Sequence, residues 1–225
     1  MTAKAFALDA GGGRRVSALL DGPPDARALY VLAHGAGAGM KHPFMASVAS
    51  GLAERGIATL RYQFPYMEEG SKRPDAPKIA HLAVRAAVAE ATRKLPGVPI
   101  VAGGKSFGGR MTSQAQAVEP LPGVRGLAFL GFPLHAAGKP SDERAAHLFE
   151  IGVPMLFLQG SRDTLADLTL LTPLAARLGR KATLATFEDA DHSFHVPART
   201  GRKDAEVLGH VLDRMARWID QEIPA

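Results

Sequence analysis

Short apolar runs bounded by glycine and proline alternate along this chain with stretches whose apolar residues recur at helical spacing. Residues 29–33, 99–102 and 155–158 are apolar, of strand length, and closed by turn signals, and residues 124–130 and 57–61 look similar. Such runs, lacking strict alternation, predict strands covered on both faces, as in a parallel sheet. Residues 182–187 predict a further strand, and residues 6–8 and 16–20 a leading antiparallel hairpin across Gly11-Gly12-Gly13. Residues 42–55, 78–94, 109–118, 167–178 and 204–221 predict helices between and after these strands. Ile79, Leu82, Ala83, Ala86 and Ala89 make one apolar stripe, and Val207, Leu208, Val211, Leu212, Met215, Trp218 and Ile219 make another. The order of elements predicts an α/β fold: a mostly parallel sheet of about seven to eight strands with helices on both faces and right-handed crossovers. Residues 69–78 read as an exposed loop. Because the elements on both sides of it need the same sheet, residues 1–225 are predicted to form a single domain.

Composition narrows this picture. Of 225 residues, 46% are hydrophobic and 22% charged, which suits one globular core and is too little chain for two ordinary domains. Cysteine is absent, which removes a thiol nucleophile, a disulfide framework and an all-cysteine zinc site, and fits a cytoplasmic setting. The first residues hold no apolar signal core of ~7–15 residues. The longest apolar stretch, 126–134, contains Gly131 and Pro133 and falls short of the ~18 residues a membrane helix needs. The expectation is a soluble protein with no membrane contact. The net charge of +5 comes from scattered Lys and Arg pairs in predicted loops, which read as solvated side chains and not as a nucleic-acid surface.

The sharpest chemical signal is Gly104-Lys105-Ser106-Phe107-Gly108, between a predicted strand and a predicted helix. A serine there must occupy a sharp, strained turn, so the residues two positions away must be small. Its hydroxyl is then exposed beside the positive end of the following helix. Two rival readings fail on spacing. A phosphate-binding loop ending in Gly104-Lys105-Ser106 needs glycine where Pro99 stands. A dinucleotide fingerprint beginning at Gly35 needs glycine where Met40 stands. Gly35-Ala36-Gly37 makes better sense as an oxyanion loop, with backbone N–H groups of Ala36 and Phe107 as donors and Gly37 as the next choice.

A nucleophilic serine needs a base, and the base an orienting acid. Asp163 follows the 155–158 run in Gly160-Ser161-Arg162-Asp163, with Asp167 as the alternative. His192 follows the last predicted strand, with His195 as its alternative. The order Ser106, Asp163, His192, each past the C-terminal end of a strand, is the one this arrangement requires. Gly35, Gly37, Phe64, Tyr66 and Phe132 are candidate substrate-pocket residues. Lys105, Arg110 and Arg162 flank the three candidates in sequence and would favour an anionic acyl substrate.

On these residues the sequence resembles the α/β-hydrolases, and more narrowly a compact branch related to dienelactone hydrolase-like proteins. The narrower match rests on Gly104-Lys105-Ser106-Phe107-Gly108-Gly109-Arg110, Leu130-Gly131-Phe132-Pro133-Leu134, Gln159-Gly160-Ser161-Arg162-Asp163 and Asp191-His192-Ser193-Phe194. The resemblance implies the triad above and a carboxylesterase-like serine hydrolase acting through an acyl-enzyme, with no cofactor and no metal. Dienelactone hydrolases use cysteine, which this chain lacks. Relatives of this branch serve in chromatin complexes, so a non-catalytic binding or scaffold role is the alternative. Only residues 131–142 separate the 124–130 run from the next helix candidate, which predicts no cap domain and an open site. The expected partner is a small ester-like molecule, and a homodimer is left open.

Overall fold

The computed structural model describes residues 3–223. Strands β1 (Lys4–Asp9), β2 (Arg15–Asp21), β3 (Ala28–Ala33), β4 (Ile57–Tyr62), β5 (Ile100–Lys105), β6 (Val124–Leu130), β7 (Met155–Gly160) and β8 (Ala182–Phe187) form one eight-stranded sheet. Its order is β1-β2-β4-β3-β5-β6-β7-β8. The first hairpin pairs antiparallel, as does β2 with β4. Every later neighbour is parallel. Helices α1 (Pro43–Ala53), α2 (Pro65–Glu68), α3 (Pro77–Lys94), α4 (Phe107–Val118), α5 (Leu168–Leu178) and α6 (Asp204–Glu222) make the connections and cover the sheet.

Strand alternation divides the core into two layers. Leu29 and Val31 of β3, Leu127 and Phe129 of β6, and Met155 and Phe157 of β7 pack with the buried faces of α3, α4 and α5. Their neighbours Tyr30, Leu32, Ala128, Leu130, Leu156 and Leu158 pack with α1 and α6. The central strands are therefore apolar on both faces, which is why they read as unbroken runs. The stripe on α6 buries Val207, Val211, Met215, Trp218 and Ile219 against the second layer.

The two boundaries that flank Ser106 differ from the expectation. Strand β5 continues through Gly103 and Gly104 to Lys105 instead of ending at Ala102, because both glycines keep ladder positions opposite β3 and β6. Helix α4 starts at Phe107, directly after Ser106, so strand and helix share one sharp turn. The β6–β7 connection carries only a short 3₁₀ helix, Glu143–Glu150, and no cap domain. Among the described residues, no helix is long and apolar enough to cross a membrane.

Candidate active site

Ser106 lies between β5 and α4 with φ 50° and ψ −115°, a conformation that side-chain-bearing residues avoid. Close approach of β3 explains the flanking glycines. A Cβ at Gly104 would stand 2.2 Å from the Ala33 carbonyl oxygen, and one at Gly108 would stand 2.6 Å from the carbonyl oxygens of Ala33 and His34. The backbone N–H of Ser106 donates to the Leu130 carbonyl (3.2 Å) on the other side of the turn. Inside α4, the Thr112 hydroxyl donates to the Gly108 carbonyl (2.9 Å). Phe107 is the first residue of α4, where backbone N–H groups have no helical acceptor.

The loop after β3 is tied down by residues whose role the sequence did not reveal. His34 is fully buried, with Nδ1 2.8 Å from the Gly35 carbonyl and Nε2 accepting from the Phe64 N–H at 3.0 Å. This pattern fixes a neutral ring protonated on Nδ1. Burial pulls its pKa down to about 4, against the opposing bond to the Gly35 carbonyl. The Tyr66 hydroxyl accepts from the Gly37 N–H (3.3 Å), and Gln63 Oε1 accepts from the Met40 N–H (2.8 Å). An acid-stability prediction follows. The folded pKa of His34 is below the unfolded value, so the unfolded chain binds the extra proton. Stability should therefore fall as pH drops from about 6.5 towards 4, by about 3 kcal/mol from this residue. Denaturant unfolding at pH 7 and pH 4.5 measures it, and a His34→Gln protein should show a shallower pH dependence. An equal slope in both proteins would contradict the assignment.

Asp163 and His192 meet where the turns after β7 and β8 converge. Asp163 Oδ2 is 2.6 Å from His192 Nδ1, with the carboxylate buried and the imidazole partly open. Asp163 Oδ1 accepts from the Leu165 N–H (2.8 Å), and Gln159 Nε2 donates to Oδ2. Gln159 is itself anchored, because its Oε1 accepts from the Phe132 N–H (2.9 Å). The histidine turn is built by Asp191, whose Oδ1 accepts from the N–H groups of Ser193 (2.7 Å) and His195 (3.0 Å). The two turns are joined by the Arg162 N–H donating to the Ala190 carbonyl (2.8 Å).

The alternatives to these two residues are engaged elsewhere. Asp167 caps α5 through the Thr169 N–H (2.8 Å), and His195 pairs with Asp204 at the start of α6 (2.8 Å).

Ser106 and His192 border one cavity of about 390 Å³, together with Gly35, Ala36, Phe44, Lys105 and Leu165. Three of the candidate pocket walls stand behind it. Phe64, Tyr66 and Phe132 are no more than 2% exposed. Phe64 packs edge-on against His34 (4.9 Å) and Phe107 (5.3 Å), and Phe132 against Phe129 (5.2 Å). Gly37 borders a neighbouring hollow near Met40 and Gln63 instead. A larger hollow of about 600 Å³ runs between α1 and α6 and shares only Phe44 and Ser193 with the cavity at Ser106. Among the described residues, no three metal-ligating side chains cluster.

A serine–histidine contact elsewhere in the fold serves packing. Ser113 Oγ is 2.8 Å from His147 Nε2, but Ser113 is fully buried within α4 and its hydroxyl also bonds the Arg110 carbonyl (2.9 Å). Neither residue borders the cavity. Burial, aided by the nearby Arg110 charge, holds the His147 pKa down to about 4.

The sheet order, the strained serine turn and the converging acid and histidine turns define an α/β-hydrolase architecture. The family model described as "Alpha/beta hydrolase domain" matches residues 26–220, and the chain belongs to that family. Solved structures agree on the fold. An α/β serine hydrolase without a lid from Xanthomonas campestris superimposes with a TM-score of 0.74 at 21% identity, over 100% of this chain and 97% of its own. A dienelactone hydrolase from Anabaena variabilis gives 0.78 at 20% identity, over 98% of each chain. The esterase domain of a Rhodothermus marinus protein gives 0.74 at 17% identity, over 98% of this chain and 99% of its own.

Proposed function

We propose that this protein is a carboxylesterase-like serine hydrolase that cleaves an ester-like acyl bond of a small molecule through an acyl-enzyme. The observation that carries the reading is the 2.6 Å contact between Asp163 and His192, a histidine that borders the same cavity as a serine held at φ 50°. In this mechanism His192 Nε2 takes the Ser106 proton as Oγ attacks the carbonyl carbon. The carbonyl oxygen becomes an oxyanion facing the N–H groups of Phe107 and Ala36. The imidazolium then protonates the departing alkoxide, leaving the acyl group on Ser106. Water, deprotonated by His192, attacks the acyl-enzyme and releases the carboxylic acid. Asp163 remains ionised, keeps the proton on Nδ1 and stabilises the imidazolium. Removing one oxyanion donor is expected to raise the barrier by about 3 kcal/mol. The proposal treats the chain as one catalytic domain working in the cytoplasm, in keeping with its lack of cysteine.

A fluorophosphonate probe tests the nucleophile. Wild-type protein and a Ser113→Ala variant should both label, and Ser106→Ala should not. A wild-type protein that stays unlabelled while binding small molecules would favour the non-catalytic reading. Label retained in Ser106→Ala but lost in Ser113→Ala would move the site to the other serine.

A further inference from the structure

The cavity at Ser106 holds a cation with unfilled hydrogen-bonding capacity, and we propose that this residue, Lys105, forms an anion subsite selecting ester substrates that carry a carboxylate near the scissile bond. The inference rests on Ser106 being the nucleophile.

Lys105 is the last residue of β5, immediately before Ser106, and borders the cavity beside it. Its Nζ donates to the His192 carbonyl at 2.6 Å. The absence of a side chain at Gly131 leaves the end of the lysine space, since a Cβ there would lie 3.0 Å from Nζ. An ammonium has three N–H donors. Among the described residues, the His192 carbonyl is the one hydrogen-bond acceptor that meets them, and the Phe44 ring centroid lies 6.0 Å from Nζ.

Of the carboxylates that act on Lys105 from a distance, Asp163 is committed elsewhere through both oxygens and Asp191 through one. Both Asp163 oxygens already accept, from His192, Gln159 and the Leu165 N–H, and Asp191 Oδ1 accepts from the N–H groups of Ser193 and His195. Their charges keep the cation tolerable without neutralising it. Burial draws the Lys105 pKa down to about 8, with Asp163 and Asp191 opposing, so the ammonium is still charged at neutral pH.

The rest of the lining points the same way. Among the described residues, no carboxylate borders the cavity. Phe44, Met45 and Leu165 make its wall apolar, which lowers the effective dielectric around the charge. His42 also borders it; its Nδ1 accepts from the Phe44 N–H (3.2 Å), so the neutral ring carries its proton on Nε2, a second donor. The other two cations flagged in the sequence do not border the cavity. Arg110 is held near Arg144 and His147, and Arg162 is exposed near His195. A partly desolvated ammonium with free N–H groups stabilises a bound carboxylate far more than a solvated lysine does.

Two substrate pairs, corrected for spontaneous hydrolysis, test the subsite. One compares 4-nitrophenyl hemiadipate with 4-nitrophenyl hexanoate, and the other 3-carboxyphenyl acetate with phenyl acetate. In at least one pair the carboxylated ester should have a kcat/KM higher by about 10- to 100-fold. Lys105→Met should collapse that ratio to about one, and Lys105→Arg, which keeps the charge, should retain part of it. A wild-type ratio near one in both pairs overturns the subsite, as does a ratio that survives in Lys105→Met. Calorimetric titration with adipate separates this failure from a failure of the nucleophile. Adipate binding that disappears in Lys105→Met supports the subsite even if fluorophosphonate never labels Ser106. Labelling at Ser106 with no adipate binding to wild-type protein overturns the subsite alone.

Discussion

A Ser106→Gly protein is expected to lose ester hydrolysis by roughly a million-fold and yet to melt at a higher temperature than wild type. Both changes come from one backbone position. Ser106 sits at φ 50° and ψ −115°, and holding a side-chain-bearing residue there costs about 1–3 kcal/mol. Glycine adopts that conformation freely, though its looser unfolded chain gives back up to about 1 kcal/mol. The net gain should be about 1 kcal/mol, or a rise of about 2–4 °C in Tm for a chain of this size. The surrounding turn has no means to relax around serine. Gly104 and Gly108 are pressed against Ala33 and His34, and the Ser106 N–H is tied to Leu130. Differential scanning calorimetry alongside an ester assay reads both effects. A glycine variant that melts lower than wild type would show that the turn is not strained, and one that keeps its rate would remove Ser106 from the chemistry.

That turn was also the part of the molecule most open to sequence reading. Two glycines placed symmetrically about a serine, between a buried strand and a helix, leave few alternatives, because each glycine answers to a backbone close by. The acid and histidine are legible only as chain order, since Asp163 and Asp167 stand four residues apart, and His192 and His195 three. What separates them is tertiary. Asp167 finds Thr169 at a helix start and His195 finds Asp204, while Asp163 and His192 find each other across 29 positions of chain.

The aromatic residues after the strands are ambiguous for a related reason. Phe64, Tyr66 and Phe132 follow strand ends and could face either a cavity or the core. Nothing local says that Phe64 must buttress His34, or that Phe132 belongs with Phe129 and Phe157. The sequence ends β5 at Ala102 because glycines ordinarily punctuate a strand. Here Gly103 and Gly104 stay in it, because the neighbouring strands come too close for any side chain. Gln159 and Lys105 drew attention only through their neighbours in sequence, and their contacts, to Asp163 and to the His192 carbonyl, exist only once the sheet has formed.

A second large effect is expected at Asp163. Asp163→Asn should lower kcat by about ten-thousand-fold, as the equivalent change does in serine proteases. The carboxylate accepts three donors: His192 Nδ1–H, Gln159 Nε2–H and the Leu165 N–H. An asparagine has one oxygen and one NH₂ group for the same three partners. With its nitrogen towards Leu165 it opposes that N–H; with its nitrogen towards Gln159 and His192 it opposes two donors at once. The imidazole escapes the second clash by moving its proton to Nε2, and then it can no longer accept the Ser106 proton. A buried donor left without an acceptor should also lower stability, by about 1–3 kcal/mol. Nitrogen-15 spectra of the His192 ring separate the two consequences. The proton should leave Nδ1 in Asp163→Asn and stay there in Asp167→Asn, whose side chain serves only the α5 cap and whose hydrolysis rate should not change. A rate loss in Asp163→Asn with the proton still on Nδ1 would mean that the aspartate acts through stability alone, and that the orienting acid lies elsewhere.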